Sequence, residues 1–299
     1  MRTLGLWLVR LVGGLIVVVV LCFAVVGIRV HQQLARKHSV PDIALTVPGD
    51  SAAIARGQHL SVIFNCVGCH GVDLAGLPIL EAPLVGRIHA PNLTRGGVTA
   101  AFTSADWNRA VRHGVGRGER GLVIMPSDLF AKLSDADVGA IIAYARSLPA
   151  AADPSPPCEL GPLGWVLATM TPGGVIAADH VDHSAPRAAA VPIGVTAEYG
   201  GYLASACVGC HGPQFSGGRS GEPGAPPAPN LTPAPDGHLA RWTQAQFVHA
   251  LRSGVTPEGK ALSGYMPWTN FSRMTDDELA ALWMYLHGLP PRPSTAPTK

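Results

Sequence analysis

Two short stretches of this chain carry chemistry by residue type and spacing: Cys66-Val67-Gly68-Cys69-His70 and Cys207-Val208-Gly209-Cys210-His211. C-x-x-C-H is the attachment signature of c-type haem. Two thiols three positions apart on one helical turn reach the two vinyl groups of a single porphyrin. The adjacent His then falls under the iron as its proximal ligand. Taken alone, a C-x-x-C pair also suits a zinc site or a thioredoxin-like redox turn.

An internal repeat separates these readings. Cys66 and Cys207 are 141 positions apart, and so are Met125-Pro126 and Met266-Pro267 and also Leu148-Pro149 and Leu289-Pro290. Ala90-Pro91-Asn92-Leu93-Thr94 recurs as Ala228-Pro229-Asn230-Leu231-Thr232 after 138 positions, and Arg112-x-Gly114-Val115 recurs at Arg252 after 140. In each half the motif His stands 55 residues before the Met. Zinc explains none of these Met positions. A haem iron held by His takes a sixth ligand if it is to stay closed, and a soft thioether there raises the potential. Met125 and Met266 are therefore expected opposite His70 and His211. Met170, Met274 and Met284 have no twin and are expected as packing. His113 and His249, which fall at different places in the repeat, are the rival ligands.

The elements that must position these residues are helices. Ser134 is a good N-cap, with Asp137 at the carboxylate position three residues on, and Val138, Ile141, Ile142 and Ala145 form one apolar face to about Ser147. Thr275-Asp276-Asp277-Glu278 is the same device before Leu279, Leu282 and Leu286. Pro149 and Pro290 stop both helices. Shorter helices are expected at 53–64 and 197–206, ahead of the two motifs, and middle helices at 104–113 and 244–252. The second motif follows Leu203 two residues sooner than the first follows Leu60. Gly- and Pro-rich loops lie between, suited to wrapping a flat cofactor. A carbonyl near Pro91 or Pro229 is expected to accept the N–H of the proximal His.

Leu11–Ile28 is a run of 18 residues without a charge, just long enough to span hydrocarbon, and Arg10 before it can snorkel. The run is longer than the apolar region of a signal peptide, and Val25-Val26-Gly27 offers no small-x-small cleavage site, so an uncleaved anchor is expected. Basic residues flank both ends and leave its orientation open. Charged residues make up 14% of the 299, and residues 1–40 hold five of the 22 basic residues and no acid. The remaining 17 basic and 20 acidic residues form no stripe that would track nucleic-acid phosphates. The cluster Arg109, Arg112, Arg117 and Arg120 faces a propionate, an acidic partner or only solvent. Cys158 has no twin and reads as a lone thiol. The expected organisation is an anchor at 1–28, a short tether at 29–50, domains at 51–149 and 198–290, a linker at 150–197 and a frayed tail at 291–299. The linker's Trp165-Val166-Leu167-Ala168 is expected to pack across the two domains.

With these residues in view, the chain resembles membrane-anchored dihaem members of the class I cytochrome c family, and most of all the cytochrome c subunits of periplasmic alcohol, aldehyde, gluconate or nicotinate dehydrogenases. The resemblance covers 51–299 in two copies. It rests on Cys66–His70 with Gly71 and Gly76, Cys207–His211 with Gly212 and Gly217, the two Pro-Asn-Leu-Thr stretches and the two Met-Pro pairs. It implies an all-α fold, an N-terminal transmembrane helix followed by two tandem class I cytochrome c domains. It implies two covalently bound haem c groups, thioether-bound through Cys66, Cys69, Cys207 and Cys210. The implied function is a non-enzymatic electron relay, with a periplasmic dehydrogenase subunit as donor and a terminal oxidase, quinone or soluble cytochrome as acceptor. Because haem c is attached outside the cytoplasm, the haem domains are expected on the periplasmic side of the bacterial inner membrane. The rival readings are a dihaem redox enzyme such as a peroxidase with one open haem, which two intact Met-Pro motifs disfavour, and a purely anchoring subunit.

Overall fold

A single helix, α1 (Arg2–Ala35), runs through the whole apolar segment. The most apolar 18 residues within Gly5–Ala35 have a mean hydropathy of 3.1 and are almost entirely unburied by the rest of the chain. Leu, Val and Ile side chains point outward around it, from Leu6 to Ile28. A helix that is apolar all round belongs in a nonpolar phase or a core, and this one has no core about it. The computed structural model describes residues 2–152, 155–171, 174–219 and 225–295; part of the expected linker (153–154, 172–173) and of the expected tail (296–299) lies outside the described residues.

The expected tether is not free chain. The helix continues past Ile28 to Ala35, with Val30 buried, and Gln33 and Arg36 both donate to Asp179 at 2.9 Å. The extended segment after it lies on the first half. Asn108 donates to the Ile43 carbonyl, Leu45 N–H donates to Ser104 Oγ, and Leu45 is buried.

Each half carries the same helices. The first has α2 (Ser51–Ile63), α3 (Cys66–His70), α4 (Ser104–His113), α5 (Ser127–Phe130) and α6 (Asp135–Ser147). After α7 (Pro162–Met170) in the linker, the second has α8 (Ala197–Leu203), α9 (Val208–His211), α10 (Gln244–Ser253), α11 (Trp268–Phe271) and α12 (Asp276–His287). Thr103 with Asp106, Thr243 with Gln246 and Thr275 with Glu278 form complete capping boxes on α4, α10 and α12. On α6 only half of the device forms: Ser134 accepts from Asp137 N–H, but the Asp137 carboxylate turns away to Arg56 and Tyr202. The fold is mainly helical. Parts of the expected loops also pair as strands: β1 (Leu77–Ala82) with β2 (Gly86–Ala90), to which β3 (Glu159–Leu160) adds, and β4 (Gly218–Arg219) with β5 (Pro227–Ala228).

One apolar core runs through both halves, from Leu60, Trp107 and Ile142 to Leu203, Leu239 and Leu279. Its densest crossings are α2 on α6 and α8 on α12, and glycine makes them possible. A Cβ on Gly57 would run into the Ala140 carbonyl and come within 2.9 Å of Tyr144 Cβ. At the equivalent Gly200 it would meet the Ala281 carbonyl and Tyr285 Cβ in the same way. Overpacking a close helix crossing costs about 1–3 kcal/mol. Gly57→Ala and Gly200→Ala are each expected to lower stability by that amount in urea or thermal unfolding. An unchanged midpoint would contradict the crossing.

The linker departs from expectation. Trp165 packs on α1, against Gly27 and His31, and not across the two halves. Farther on, the linker carbonyls of Ala188 and Ala189 accept the first free N–H groups of α6, from Asp135 and Ala136. Of the three unpaired methionines only Met274 is packed, at 2% exposed; Met170 and Met284 are exposed, on the outward faces of α7 and α12. Lacking a twin made them unlikely ligands but said nothing about burial. The tail is held as far as 295: Arg292 accepts from Asn230 Nδ2, and Thr295 N–H donates to the Ser216 carbonyl. Cys158 is exposed and pairs with no other cysteine, its Sγ lying 3.4 Å from the His89 carbonyl.

Candidate functional site

His70 ends α3 and His211 ends α9; both are buried. His70 donates its Nδ1–H to the Pro91 carbonyl at 2.8 Å, and His211 donates to the Pro229 carbonyl at the same distance. A carbonyl only accepts, so the tautomer is fixed and each Nε2 keeps its lone pair. Burial pushes both imidazoles below the ordinary histidine range, against the pull of the carbonyl bond, so both stay neutral. These are the requirements of a ligating histidine, and the carbonyls are those expected from sequence.

The Pro-Asn-Leu-Thr stretch shows how the carbonyl is held. Asn92 Oδ1 accepts from both Thr94 N–H and Thr94 Oγ1, and Asn230 does the same for Thr232. The Asn92 amide donates to the Ala151 carbonyl, and that of Asn230 to the Arg292 carbonyl. The loop bearing each carbonyl is thus clasped to the chain just beyond the last helix of its half. Gly76 and Gly217, at φ +92° and +93°, turn the chain back after each motif, and their N–H groups donate to the His70 and His211 carbonyls.

The approaches to the two motifs differ. In the first half Asn65, left-handed at φ 60°, reverses the chain before Cys66; in the second, a 3-10 turn over Ala204–Cys207 leads straight in. The two residues missing there are the reversal. Burial pushes the Cys66 and Cys207 thiols up to about 12. Met125 and Met266 are half-buried and pack against the common core, and their carbonyls accept from Ser127 and Trp268 N–H, so the two Met-Pro turns have one geometry.

The donor set fits haem c and does not fit zinc. Among the described residues no three His, Cys, Asp or Glu side chains converge as a metal site. Two thiols, one neutral imidazole and one thioether per half match a porphyrin iron. The indole N–H of Trp107 is buried in the first half with no partner among the described residues, a donor of the kind a propionate takes. The rival histidines have other surroundings. His113 is fully buried, with Arg187 donating to its Nε2 and its Nδ1–H directed at His183 Nδ1, so both ring nitrogens are engaged. Burial and then the Arg187 charge push it down to about 4. His249 is exposed on α10.

Three of the four clustered arginines, Arg109, Arg112 and Arg117, pair with this chain's own acids. Arg112, fully buried, bonds to Asn108 and to Asp135 at 2.7 Å; its twin Arg252 bonds to Asp276 at the same distance. Each pair ties the middle helix of a half to the start of its last helix. Arg109 closes on Asp106 and lies 3.5 Å from Asp42, and Arg117 lies 3.8 Å from Asp106.

Sequence reasoning missed the seam between the halves. Arg56 on α2 forks onto Asp137 at 3.1 and 3.3 Å and reaches Glu278 of the other half at 3.3 Å. His59 bonds to Glu278 at 2.7 Å, while Tyr202 on α8 donates to Asp137 at 2.6 Å. Tyr199 accepts from Arg56 and donates to Glu278. In the repeat Arg56 matches Tyr199, His59 matches Tyr202 and Asp137 matches Glu278, so His59 and Tyr202 reach the other half's carboxylate from equivalent positions. Burial opposes the charge on Arg56, but the Asp137 bond and charge outweigh it and raise its pKa. The motif turns meet the same seam. Asn270 on α11 donates to Asn65 at 2.6 Å, and the Leu129 side chain of α5 covers Gly209.

Over residues 54–149 and 198–290 the chain matches the family described as Cytochrome c. It is 27% identical over 282 residues to the "Alcohol dehydrogenase (quinone), cytochrome c subunit" of Gluconacetobacter polyoxogenes, covering 84% of this chain and 59% of that protein. It is 25% identical over 276 residues to the "Fructose dehydrogenase cytochrome subunit" of Gluconobacter japonicus, covering 82% and 54%. Identity to the "Gluconate 2-dehydrogenase cytochrome c subunit" of Pantoea cypripedii is 28% over 271 residues, covering 80% and 60%. The chain thus spans less than two thirds of the length of these curated relatives.

Proposed function

The chain belongs to the cytochrome c family, and from that premise we propose that it is a membrane-anchored dihaem relay, taking electrons from a dehydrogenase-type partner and passing them to the respiratory chain. Cys66 and Cys69 hold one haem c, and Cys207 and Cys210 the second. His70 and His211 would each ligate an iron, and Met125 and Met266 would supply the second protein ligands. Bound haem c supplies a one-electron couple. The protein's own part is to hold each histidine in one tautomer, keep the site dry and tie the two halves along the Arg56 seam. The domains are 51–149 and 198–290, α1 is the anchor, and the body lies on the periplasmic side of the inner membrane. The dehydrogenase subunit is the donor, by analogy with the relatives' names. The acceptor is a terminal oxidase, a quinone or a soluble cytochrome.

The observation that carries this reading is the duplicated His–carbonyl pair at 2.8 Å, set after two C-x-x-C motifs and before two matched Met-Pro turns. A relay needs both irons closed, and two intact thioether positions supply that. The test is the full chain matured in a host that attaches haem c. Expected are a mass two haems above the polypeptide, two low-spin ferric haems with a Met-to-iron band, and reduction by the partner dehydrogenase with its substrate. A high-spin haem that reacts with peroxide would establish the enzyme reading instead.

A further inference from the structure

The nine residues of α7 include no charge. One face is well used: Gly164 and Ala168 are buried, Gly164 close against the Val85 backbone of the β1–β2 turn. Trp165 lies over Gly27 of α1, where a Cβ would come within 2.9 Å of the indole, and stands edge-on to His31 at 5.3 Å. The other face has no partner among the described residues. Leu163, Leu167 and Met170 are 44%, 46% and 71% exposed, at the spacing of one helical stripe. Leu84, 65% exposed, adjoins this stripe: its carbonyl accepts the N–H of Leu163.

The place of this patch identifies what covers it. Gly27 and Ile28 are the last residues of the uncharged run, and Arg29 is the first charge after it. Trp165 is therefore level with the point where α1 leaves hydrocarbon, the depth that tryptophan prefers in membrane proteins. A short uncharged helix with an apolar stripe, fixed beside that exit by an interfacial indole, meets the same bilayer that α1 crosses. In water the stripe would leave its apolar surface wet, which is unfavourable. We propose that α7 and the Leu84 turn form a second membrane contact, lying in the headgroup region of the bilayer with Leu163, Leu167 and Met170 turned into lipid. This rests on the reading of α1 as a membrane anchor. The linker then has a task of its own: it presses the first domain onto the lipid surface beside its anchor.

The test uses the full haem-loaded chain in phosphatidylcholine–phosphatidylglycerol vesicles. In a Cys22→Ser, Cys158→Ser background, single substitutions Leu163→Cys, Leu167→Cys and Met170→Cys are labelled with bimane. Val19→Cys in the span and Glu198→Cys, exposed in the first turn of α8, serve as references. Quenching by brominated lipid is compared with quenching by aqueous iodide at each site. Expected at 163, 167 and 170 is loss of most emission in brominated lipid and little in iodide, as at Val19 and opposite to Glu198. Lipid-like quenching at Val19 with water-like quenching at 163, 167 and 170 overturns the membrane contact alone. Protection of these three from both quenchers also overturns it and assigns the stripe to protein. Water-like quenching at Val19 overturns the anchor, and the contact with it.

Discussion

A Cys207→Ala, Cys210→Ala double variant is expected to carry one covalent haem where the parent carries two. Intact mass should fall by one haem, and the pyridine haemochrome absorbance per polypeptide should halve. The Cys66→Ala, Cys69→Ala variant should do the same from the other half. The expectation follows from the separateness of the two ligand sets. His70 is held by Pro91 and His211 by Pro229, with no donor shared between them. The structural cost should be uneven. The second half has the shorter leading helix, α8, and its motif turn rests on Leu129 of the first. Loss of the second haem should therefore lower the thermal midpoint of the first half as well. Unchanged haem content in either double variant would refute the attachment sites.

The seam gives the second large effect. Arg56→Ala leaves Asp137 and Glu278 together at a domain boundary without their shared cation. Removing one partner of a buried ion pair costs about 3–5 kcal/mol. Arg56 keeps some solvent exposure, so the lower end is expected, about 3 kcal/mol, or a fall in Tm of about 5 °C for a chain this size. Arg56→Lys should recover only part of it, because an ammonium does not fork onto a carboxylate. The same site sets an acid limit. Burial favours the neutral form of Glu278, but the bond from His59, the Thr275 N–H and the Arg56 charge outweigh it and hold the carboxyl below its usual range. Its unfolded value is higher, near ~4.3. The stabilisation is therefore complete above that value and drains away as the pH falls through the lower, folded value. Urea midpoints measured from pH 6 down to pH 3 should fall in the parent, and the Glu278→Gln variant should show a shallower fall.

What could be read in the sequence was local or periodic. The two C-x-x-C-H motifs, the Met-Pro pairs, the Pro-Asn-Leu-Thr stretches and the last helix of each half announce themselves by spacing and caps. The carbonyl partners of His70 and His211 were reachable because Pro91 and Pro229 recur with the motifs. What escaped depends on partners far apart in the chain. Arg56 meets Glu278 across more than two hundred residues, and nothing near Arg56 distinguishes it from a solvated arginine. Arg112 reads as one of a basic cluster, because its partner Asp135 lies in the first turn of α6, far along the chain. Trp165 was legible as apolar, but its destination, a glycine in the first helix, was not. The strands β1 and β2 were hidden by Gly and Pro at their ends, which read equally well as loop.

One earlier detail governs how the molecule meets its neighbours. With α1 in the bilayer, the helical residues past Ile28 make a strut about 10 Å long, locked at its head where Gln33 and Arg36 close on Asp179. The body does not drift like a buoy on a cord. Its altitude and compass heading above the lipid are set by helical rise and azimuth, so encounters with other membrane residents become a search in two dimensions with the approach angle already chosen.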